Sequence, residues 1–296
     1  MPTQSTTARI APLMKNGGLT MLALDQRGSL RTILANGKDE ASISDEKLVE
    51  FKAAAAEILS SMASAVLLDS EFGRKAMTLV PSNVPLILSA DKFDQKTGGP
   101  VEKSVLDPAV TPELIEECKA TAIKLLIIWK QGIEKEFRHD IVGRFVELAR
   151  KTNRIALVEG IVRTANGERF TTTQSHGEAV IEAAVELMET GSDVYKAEVP
   201  GYLPGQLGQV GGFAKRLTQS LSKPWVVLSN GVAAADFAEG VRLSCANGAS
   251  GFLAGRAIWA DAASKADPRA ELQRESIPRL RNLIDIVNKR SSSQAA

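Results

Sequence analysis

Cysteine, histidine and long apolar runs are scarce in this sequence, and neither sign of charge is in excess. Only two cysteines and two histidines occur among the 296 residues. Cys118 and Cys245 show no CxxC or other ligand-like spacing, so we expect no disulfide framework and a reducing, cytoplasmic location. His139 and His176 form no His-x-His spacing, and Glu136 with His139 falls on a charged helical pattern. We therefore expect neither a zinc site nor any other metal or cofactor.

The charge balance and the hydropathy argue against two classes of partner. Thirty-six Lys and Arg residues oppose 35 Asp and Glu residues without a block of like charge, whereas a nucleic-acid-binding protein is expected to show a basic stripe. No apolar run approaches the roughly 20 residues that cross a bilayer. The first nine residues are polar and lack the apolar core of a signal peptide. We predict a soluble protein that binds neither nucleic acid nor membranes, with disordered tails at 1–7 and 291–296.

Short apolar runs alternate with longer amphipathic stretches along the whole chain. Eight runs are predicted as strands: Leu19–Asp25, Ala63–Asp69, Pro85–Asp91, Ala122–Trp129, Arg154–Glu159, Asp193–Val199, Pro224–Ser229 and Ser250–Arg256. Helical patterns lie between and after them: Asp45–Ser60, Pro112–Thr121, Glu134–Lys151, Ser175–Glu189, Gln206–Ser220, Ala233–Asn247 and Arg269–Asn288. Start signals such as Thr111 before Pro112 support several of these helices.

This alternation predicts a parallel sheet, and eight repeats predict a closed barrel. The expected fold class is α/β, a single (β/α)8 TIM barrel over residues 1–296 without a second domain. The chain is long enough, because such barrels typically have about 250 residues. An open doubly wound sheet is the alternative. However, the first strand ends in Leu24-Asp25-Gln26-Arg27 rather than in the GxGxxG turn that is usual in such sheets.

Charged residues interrupt the apolar strand patterns near the ends where TIM barrels carry their active sites. Lys124 lies in the fourth run, Glu159 ends the fifth, Lys196 lies in the sixth and Asp25 ends the first. Unpaired buried charge is costly, so these side chains should face one another. Two nearby ammonium groups lower the pKa of at least one lysine, and a neutral lysine attacks ketones. A neighbouring carboxyl group can then move protons.

Each of these residues also has a purely structural interpretation. Lys196 could pair with Glu159 or Glu198, and Lys124 could simply neutralise Asp25 or Glu159. Two further strand ends carry an acidic residue that either lines the site or, as the simpler expectation, caps the following turn: Asp69 and Asp91. Three charged intrusions on separate strands of one barrel favour a functional site over three independent structural pairs.

The ends of the seventh and eighth runs have the composition of an anion-binding corner. In TIM barrels this region commonly binds phosphate through backbone N–H groups and a short helix N-terminus. Ser229-Asn230-Gly231 and Gly255-Arg256 fit that role, because glycine allows close backbone approach and a guanidinium group binds phosphate with two hydrogen bonds. The segment 201–212, with five glycines, is either a mobile active-site loop or a plain surface connection.

Six blocks, in order along nearly the whole chain, resemble the class I aldolases of the tagatose-1,6-bisphosphate aldolase family. They are Leu22–Gly28, Ala65–Asp69, Lys124–Leu126, Tyr195–Pro200, Leu228–Val232 and Gly251–Trp259. Within that family the sulfofructosephosphate aldolases resemble the chain most. The Asp-Gln-Arg, Tyr-Lys-x-Glu and Gly-Arg-Ala-x-Trp motifs together are specific for it.

The resemblance implies a retro-aldol lyase that yields dihydroxyacetone phosphate and a three-carbon aldehyde. Lys196 matches the Schiff-base lysine and Glu159 the acid/base carboxyl group, with Lys124 and Asp25 as polar companions. The corner with Ser229, Asn230, Gly231, Gly255 and Arg256 is assigned to the phosphate of the dihydroxyacetone phosphate half. The distal anion is assigned to Gln26 and Arg27, with Arg163 as a further candidate.

The expected substrate is 6-deoxy-6-sulfofructose 1-phosphate, because the short chain and the stretches Leu125–Trp129 and Glu159–Arg163 look like the sulfosugar enzymes. Gly160, where proline is expected, and Asn230, where serine or alanine is expected, depart from that pattern. Tagatose or fructose 1,6-bisphosphate is the alternative, followed by a deoxyketogluconate phosphate. A non-catalytic sugar-phosphate-binding barrel is the alternative from another functional class. We also expect a homo-oligomer, a dimer or tetramer.

Overall fold

The structure is a computed structural model that describes residues 6–95 and 101–294. Of the tails predicted to be disordered, residues 1–5 and 295–296 lie outside the described residues. Residues 6–7 and 291–294 belong to the first and last helices. No helix in the described ranges is both long enough and apolar enough to cross a membrane.

Eight parallel strands close into a barrel, and two more form an antiparallel hairpin above it. In chain order the strands are β1 (Leu19–Leu24), β2 (Val66–Leu68), β3 (Leu86–Ser89), β4 (Asp91–Gln95), β5 (Val101–Leu106), β6 (Ala122–Lys130), β7 (Ile155–Arg163), β8 (Val194–Ala197), β9 (Trp225–Val227) and β10 (Gly251–Ala254). The order around the barrel is β1-β10-β9-β8-β7-β6-β3-β2, and β4 pairs with β5. The predicted (β/α)8 TIM barrel is confirmed.

Helices cover the outside of the barrel. They are α1 (Thr6–Ile10), α2 (Gly28–Ala35), α3 (Asp45–Leu59), α4 (Arg74–Met77), α5 (Pro112–Glu117), α6 (Lys135–Lys151), α7 (Thr173–Met188), α8 (Val210–Ser220), α9 (Ala234–Ala246), α10 (Arg256–Ala263), α11 (Pro268–Glu271) and α12 (Ile277–Gln294). Short 3-10 helices span Ala11–Leu13, Glu40–Ser42 and Ser60–Met62, and a π-helical turn spans Leu272–Ser276. The capping signal before Pro112 is correct, because the Thr111 hydroxyl accepts a hydrogen bond from the Leu114 N–H.

Most observed strands are shorter or longer than predicted by a few residues, and Arg256, predicted to end the eighth strand, instead begins α10. Two of these differences change the active-site end of the barrel. β7 continues past Glu159 to Arg163, because its last four residues pair in register with Ile127–Lys130 of β6. The third predicted strand ends at Ser89, and Asp91 instead begins β4 of the hairpin. The alternating, charged sequence of this hairpin gave no buried-strand signal.

Alternate strand residues pack into two separate apolar layers. The residues that face the barrel interior form one cluster, which includes Met21, Leu67, Leu157, Val226 and Leu253. Their neighbours along the strands join a larger cluster with the helices outside. Side chains two residues apart on a strand point to the same side. The charged residues that continue these inward-facing positions therefore lie inside the barrel, at its C-terminal end.

Candidate active site

Lys196 and Glu159 lie side by side inside the barrel. They are partners in the register between β8 and β7, and Lys196 Nζ donates a hydrogen bond to Glu159 Oε2 at 2.7 Å. Only 4% of Lys196 is exposed. The alternative partner, Glu198, instead accepts a hydrogen bond from the backbone N–H of Val162 at 2.7 Å. The predicted lysine–carboxylate pair is therefore present with Glu159 as the partner.

Lys124 lies beneath this pair and is fully buried. Its Nζ is 2.7 Å from Asp25 Oδ2, 2.7 Å from Asp91 Oδ2 and 3.5 Å from Glu159 Oε2. Burial alone would lower the pKa of Lys124, but the three carboxylates raise it well above its usual range. Burial likewise opposes ionisation of Asp25, yet the ammonium groups of Lys124 and Lys196 lower the pKa of Asp25 strongly. Lys124 is therefore a cation and Asp25 an anion at neutral pH.

This arrangement corrects the expected relation between the two lysines. The sequence suggested two ammonium groups facing each other, with mutual repulsion as the source of a reactive amine. In the structure the charge of Lys124 is compensated by Asp25 and Asp91. The geometry agrees with the structural interpretation of Lys124, in which it neutralises Asp25. Repulsion between the two lysines is not the dominant interaction in this site.

Asp91 and Asp69 differ, although both were expected to cap turns. Asp69 does so, since its Oδ1 accepts from the N–H groups of Glu71 and Phe72. The expectation for Asp91 was wrong: one oxygen accepts from Lys124 and from the Leu126 N–H, and the other from the Ser89 hydroxyl.

Lys52 is a buried charge that the sequence analysis missed. It forms an ion pair with Asp69 from the inner face of α3. Its position between Phe51 and Ala53, within an apolar helical run, was the available signal.

Arg27 lies among acidic groups at the end of β1. Its guanidinium group is 3.9 Å from Asp69, 3.8 Å from Glu71 and 3.7 Å from Asp91, and it donates to the backbone carbonyl of Asp91 at 2.9 Å. The ring of Phe93 covers it at 5.1 Å. Burial opposes its charge, but these carboxylates raise the pKa of Arg27. The positive charge of Arg27 is thus balanced within the protein.

The ends of β9 and β10 meet as predicted. The Gly255 N–H donates to the Ser229 hydroxyl at 3.4 Å, and Arg256, the first residue of α10, donates to the Asn230 side chain. A Cβ at Gly255 would lie 2.3 Å from the backbone oxygen of Ala23, so no larger residue fits. Gly231 has φ +75°, a conformation that favours glycine.

One cavity of about 630 Å³ opens at this end of the barrel. Eight of the twelve predicted site residues line it: Asp25, Gln26, Arg27, Glu159, Arg163, Lys196, Asn230 and Arg256. Lys124 lies below its floor, and Gly231 lines a neighbouring cavity of about 280 Å³. Another cavity, of about 510 Å³, lies at the opposite end beside Thr121 and Ile155, away from every predicted site residue.

Arg169 also lines the main cavity, and the sequence analysis missed it. It lies in a polar segment between β7 and α7, where nothing in the local pattern distinguishes it from a surface arginine. Gly160, a noted departure from the expected pattern, has a local explanation. A Cβ there would lie 2.2 Å from the Tyr195 hydroxyl oxygen, so this tyrosine requires the glycine.

Comparison with known proteins identifies the family of this chain. A family model described as "DeoC/LacD family aldolase" matches residues 19–261. The tagatose 1,6-diphosphate aldolase 1 of Streptococcus mutans is 29% identical over 279 residues, covering 83% of this chain and 82% of the relative. The tagatose 1,6-diphosphate aldolase 2 of Streptococcus agalactiae is 27% identical over 267 residues, with the same coverage.

Solved structures share the fold. A Schiff-base-forming fructose-1,6-bisphosphate aldolase has a TM-score of 0.66 at 19% identity, covering 96% of this chain and 100% of the other. An archaeal fructose 1,6-bisphosphate aldolase has a TM-score of 0.65 at 18% identity, with the same coverage.

The family match extends over most of the chain, and the expected enzyme type, a lyase of the class I ketose-phosphate aldolase kind, agrees with it. The chain belongs to the DeoC/LacD family of aldolases.

Proposed function

We propose that this protein cleaves a ketose 1-phosphate with a second anionic group at its far end, through a Schiff base on Lys196. The observation that carries the proposal is the hydrogen bond between Lys196 Nζ and Glu159 Oε2 at the floor of the main cavity. A lysine amine adds to a ketone only after losing its proton. Glu159 is the group in contact that can take this proton.

In the proposed reaction, the Lys196 amine attacks C2 of the ketose and forms a carbinolamine. The Glu159 carboxylic acid then protonates the departing hydroxyl group, and water leaves to give the iminium ion. The Glu159 carboxylate next removes the proton from the C4 hydroxyl group. The C3–C4 bond breaks, its electrons flow into the iminium ion to give an enamine, and the aldehyde departs. Protonation at C3 and hydrolysis return the free lysine and dihydroxyacetone phosphate.

Lys124, Asp25 and Asp91 support this cycle without touching the scissile bond. Lys124 is 3.5 Å from the same Glu159 oxygen that accepts from Lys196. It therefore offers a fixed positive charge whenever Glu159 is ionised, including the stage at which Lys196 is neutral. Asp25 and Asp91 hold the Lys124 ammonium group at this position.

The phosphate of the dihydroxyacetone phosphate half is proposed to bind where β9 and β10 end. Ser229, the Gly255 N–H and Arg256 converge there, and Asn230 and Gly231 form the adjoining turn. Arg256 is half-buried, and burial lowers its pKa. A phosphate beside it would compensate this cost and bind through charge-assisted hydrogen bonds.

For the substrate we propose 6-deoxy-6-sulfofructose 1-phosphate, cleaved to dihydroxyacetone phosphate and sulfolactaldehyde. The proposal rests on the likeness of the Glu159–Arg163 and Leu125–Trp129 stretches to sulfosugar aldolases. Tagatose 1,6-bisphosphate is the second candidate, because the curated relatives are tagatose 1,6-diphosphate aldolases. Either substrate has an anion at each end. The arginines available for the distal anion are Arg27 beyond β1 and Arg163 at the end of β7.

Reductive trapping tests the chemistry. The enzyme is incubated with dihydroxyacetone phosphate and sodium borohydride, digested and analysed by mass spectrometry. Label on the peptide that contains Lys196 is expected, with none in Lys196→Ala. An enzyme that binds the ligand but takes up no label would be the non-catalytic barrel. Label on Lys124 instead would contradict the assignment of the nucleophile. Turnover of the sulfonated and the bisphosphorylated ketoses then decides between the two substrates.

A further inference from the structure

Most buried cations in the described part of the barrel have a carboxylate partner. Lys52 pairs with Asp69, Lys124 with Asp25 and Asp91, Lys196 with Glu159, and Arg138 with Glu186. Arg27 is surrounded by three acidic groups. This pattern follows from the cost of burying an unpaired charge.

Three arginines around the main cavity have no such partner; Arg163 and Arg256 are half-buried, and Arg169 is exposed at the cavity rim. Among the described residues, no carboxylate lies within ion-pair distance of Arg163, Arg169 or Arg256, although all three line the cavity. Arg163 donates only to its neighbouring backbone carbonyl and Arg256 to the Asn230 amide oxygen. Burial lowers the pKa of Arg163 and of Arg256, and the positive charge of Arg169 lowers both further. The Arg169 guanidinium group therefore lies close enough to Arg163 and to Arg256 to repel each of them.

A closed turn brings Arg169 back beside Arg163. The Thr164 N–H donates to the Glu168 carbonyl and the Gly167 N–H to the Thr164 carbonyl, each at 2.9 Å. Gly167 takes a positive φ of +82°, which this turn requires. The chain thus leaves the end of β7, reverses, and presents a second guanidinium group at the cavity rim.

The barrel order separates this arginine pair from Arg256. Arg163 ends β7 and Arg256 follows β10, with β8 and β9 between them. Three interstrand steps of about 4.8 Å amount to roughly 14 Å around the rim. Lys196 lies on β8, between the two corners. A ketose bound to Lys196 at C2 thus has a cationic corner on either side.

We propose that Arg163 and Arg169 form the subsite for the anion at the far end of the ketose, and that Arg169 selects substrates by this charge. The inference rests on the proposed function and assigns its distal anion to β7 and the following turn rather than to Arg27, whose charge is already balanced. Glu198 raises the pKa of Arg163 against the effect of burial, but it lines the neighbouring cavity and not the main one. The anion therefore approaches the arginines from the main cavity, away from this carboxylate.

Three ketose 1-phosphates test the subsite: one with an uncharged C6 hydroxyl group, one with a C6 phosphate and one with a C6 sulfonate. In Arg169→Ala, kcat/KM for the two C6-charged ketoses should fall by about 10-fold or more. For the C6-uncharged ketose it should stay near the wild-type value. Arg163→Ala should show the same selectivity. Arg169→Lys should recover part of the loss, since it keeps the charge but not the fork of donors.

Two controls make the outcome unambiguous. Arg144→Ala removes an arginine of α6 whose side chain is 57% exposed and pairs only with Asp140 one turn away, so all three rates should be unchanged. Arg27→Ala tests the competing assignment of the distal anion to Arg27.

A drop in kcat/KM confined to C6-charged ketoses in Arg27→Ala, with no drop in Arg169→Ala, would overturn the inference. An equal drop for all three ketoses in Arg169→Ala would also overturn it, because Arg169 would then bind the C1 phosphate with Arg256. A wild-type enzyme inactive on every ketose 1-phosphate would instead refute the proposed function.

Discussion

The two ends of the barrel interior share one backbone geometry but have opposite chemistry. At the N-terminal end the interior is closed by apolar side chains, which include Ile10, Leu13 and Leu19. At the C-terminal end the same inward positions carry Asp25, Lys124, Glu159 and Lys196. Alternation along the strands sends Leu19 and the charged residues inward alike, while Ile10 and Leu13 close the N-terminal end from the helices that precede β1. The comparison shows that a barrel can bury five ionisable groups, counting Asp91, when each has an acidic or basic partner in the same layer.

This comparison predicts that changes at the charged end affect turnover more than stability, and that changes at the apolar end do the reverse.

Lys196→Ala should abolish turnover and leave the protein folded. Loss of one partner from a buried ion pair normally leaves the other charge uncompensated. In this variant the Lys124 ammonium group, 3.5 Å from Glu159 Oε2, still compensates the Glu159 carboxylate. Steady-state kinetics and thermal unfolding on the same preparations check both expectations. Unfolding of the variant at room temperature would mean that the pair with Glu159 is part of the structural core. Loss of wild-type activity in EDTA, restored by zinc, would overturn the class I mechanism itself.

Glu159→Gln should lower kcat by about 10²- to 10⁴-fold, the usual contribution of a positioned acid/base group. The amide keeps the shape and can still accept a hydrogen bond, but it cannot take the proton from Lys196. A covalent intermediate that accumulates in a single turnover, visible by intact-protein mass spectrometry, would support this role. A near-normal kcat would show that another group moves the proton.

Arg256→Ala should lower kcat/KM for every ketose 1-phosphate by roughly 10- to 150-fold, because one charge-assisted contact contributes about 1.5–3 kcal/mol. It should also weaken the binding of dihydroxyacetone phosphate, which calorimetry measures directly. Arg256 has no carboxylate partner among the described residues, so its removal leaves no unpaired anion and the Tm should change little. A loss of kcat/KM for only one ketose would mean that the dihydroxyacetone phosphate half, which all these ketoses share, binds elsewhere.

The site residues that interrupt the apolar pattern of a strand could be predicted from the sequence. Lys124, Glu159 and Lys196 are charged residues within apolar strands. They stand out in the sequence because burying a charge is costly unless it has a partner. The role of Asp91 was predicted wrongly because the strand was expected to end at Asp91, whereas β3 ends two residues earlier at Ser89. Only the fold shows that Asp91 faces Lys124. Arg169 gave no signal, because its position depends on the turn after β7. Residues placed by strand periodicity were predictable from the sequence, whereas residues placed by loop closure and by contacts between distant strands were not.

Leu19→Ala tests the apolar end, where the smallest effect on turnover is expected. Leu19 is fully buried at the start of β1, six residues before Asp25, which corresponds to roughly 20 Å along the strand. Truncation leaves a cavity and should reduce the free energy of unfolding by about 2–5 kcal/mol. The charged layer keeps all of its partners, so kcat per folded molecule should stay within about twofold of wild type. Denaturant unfolding gives the first quantity, and kinetics at a temperature where the variant is folded give the second. A large loss of kcat in the folded variant would show that the two ends of the barrel are coupled through the packing between them.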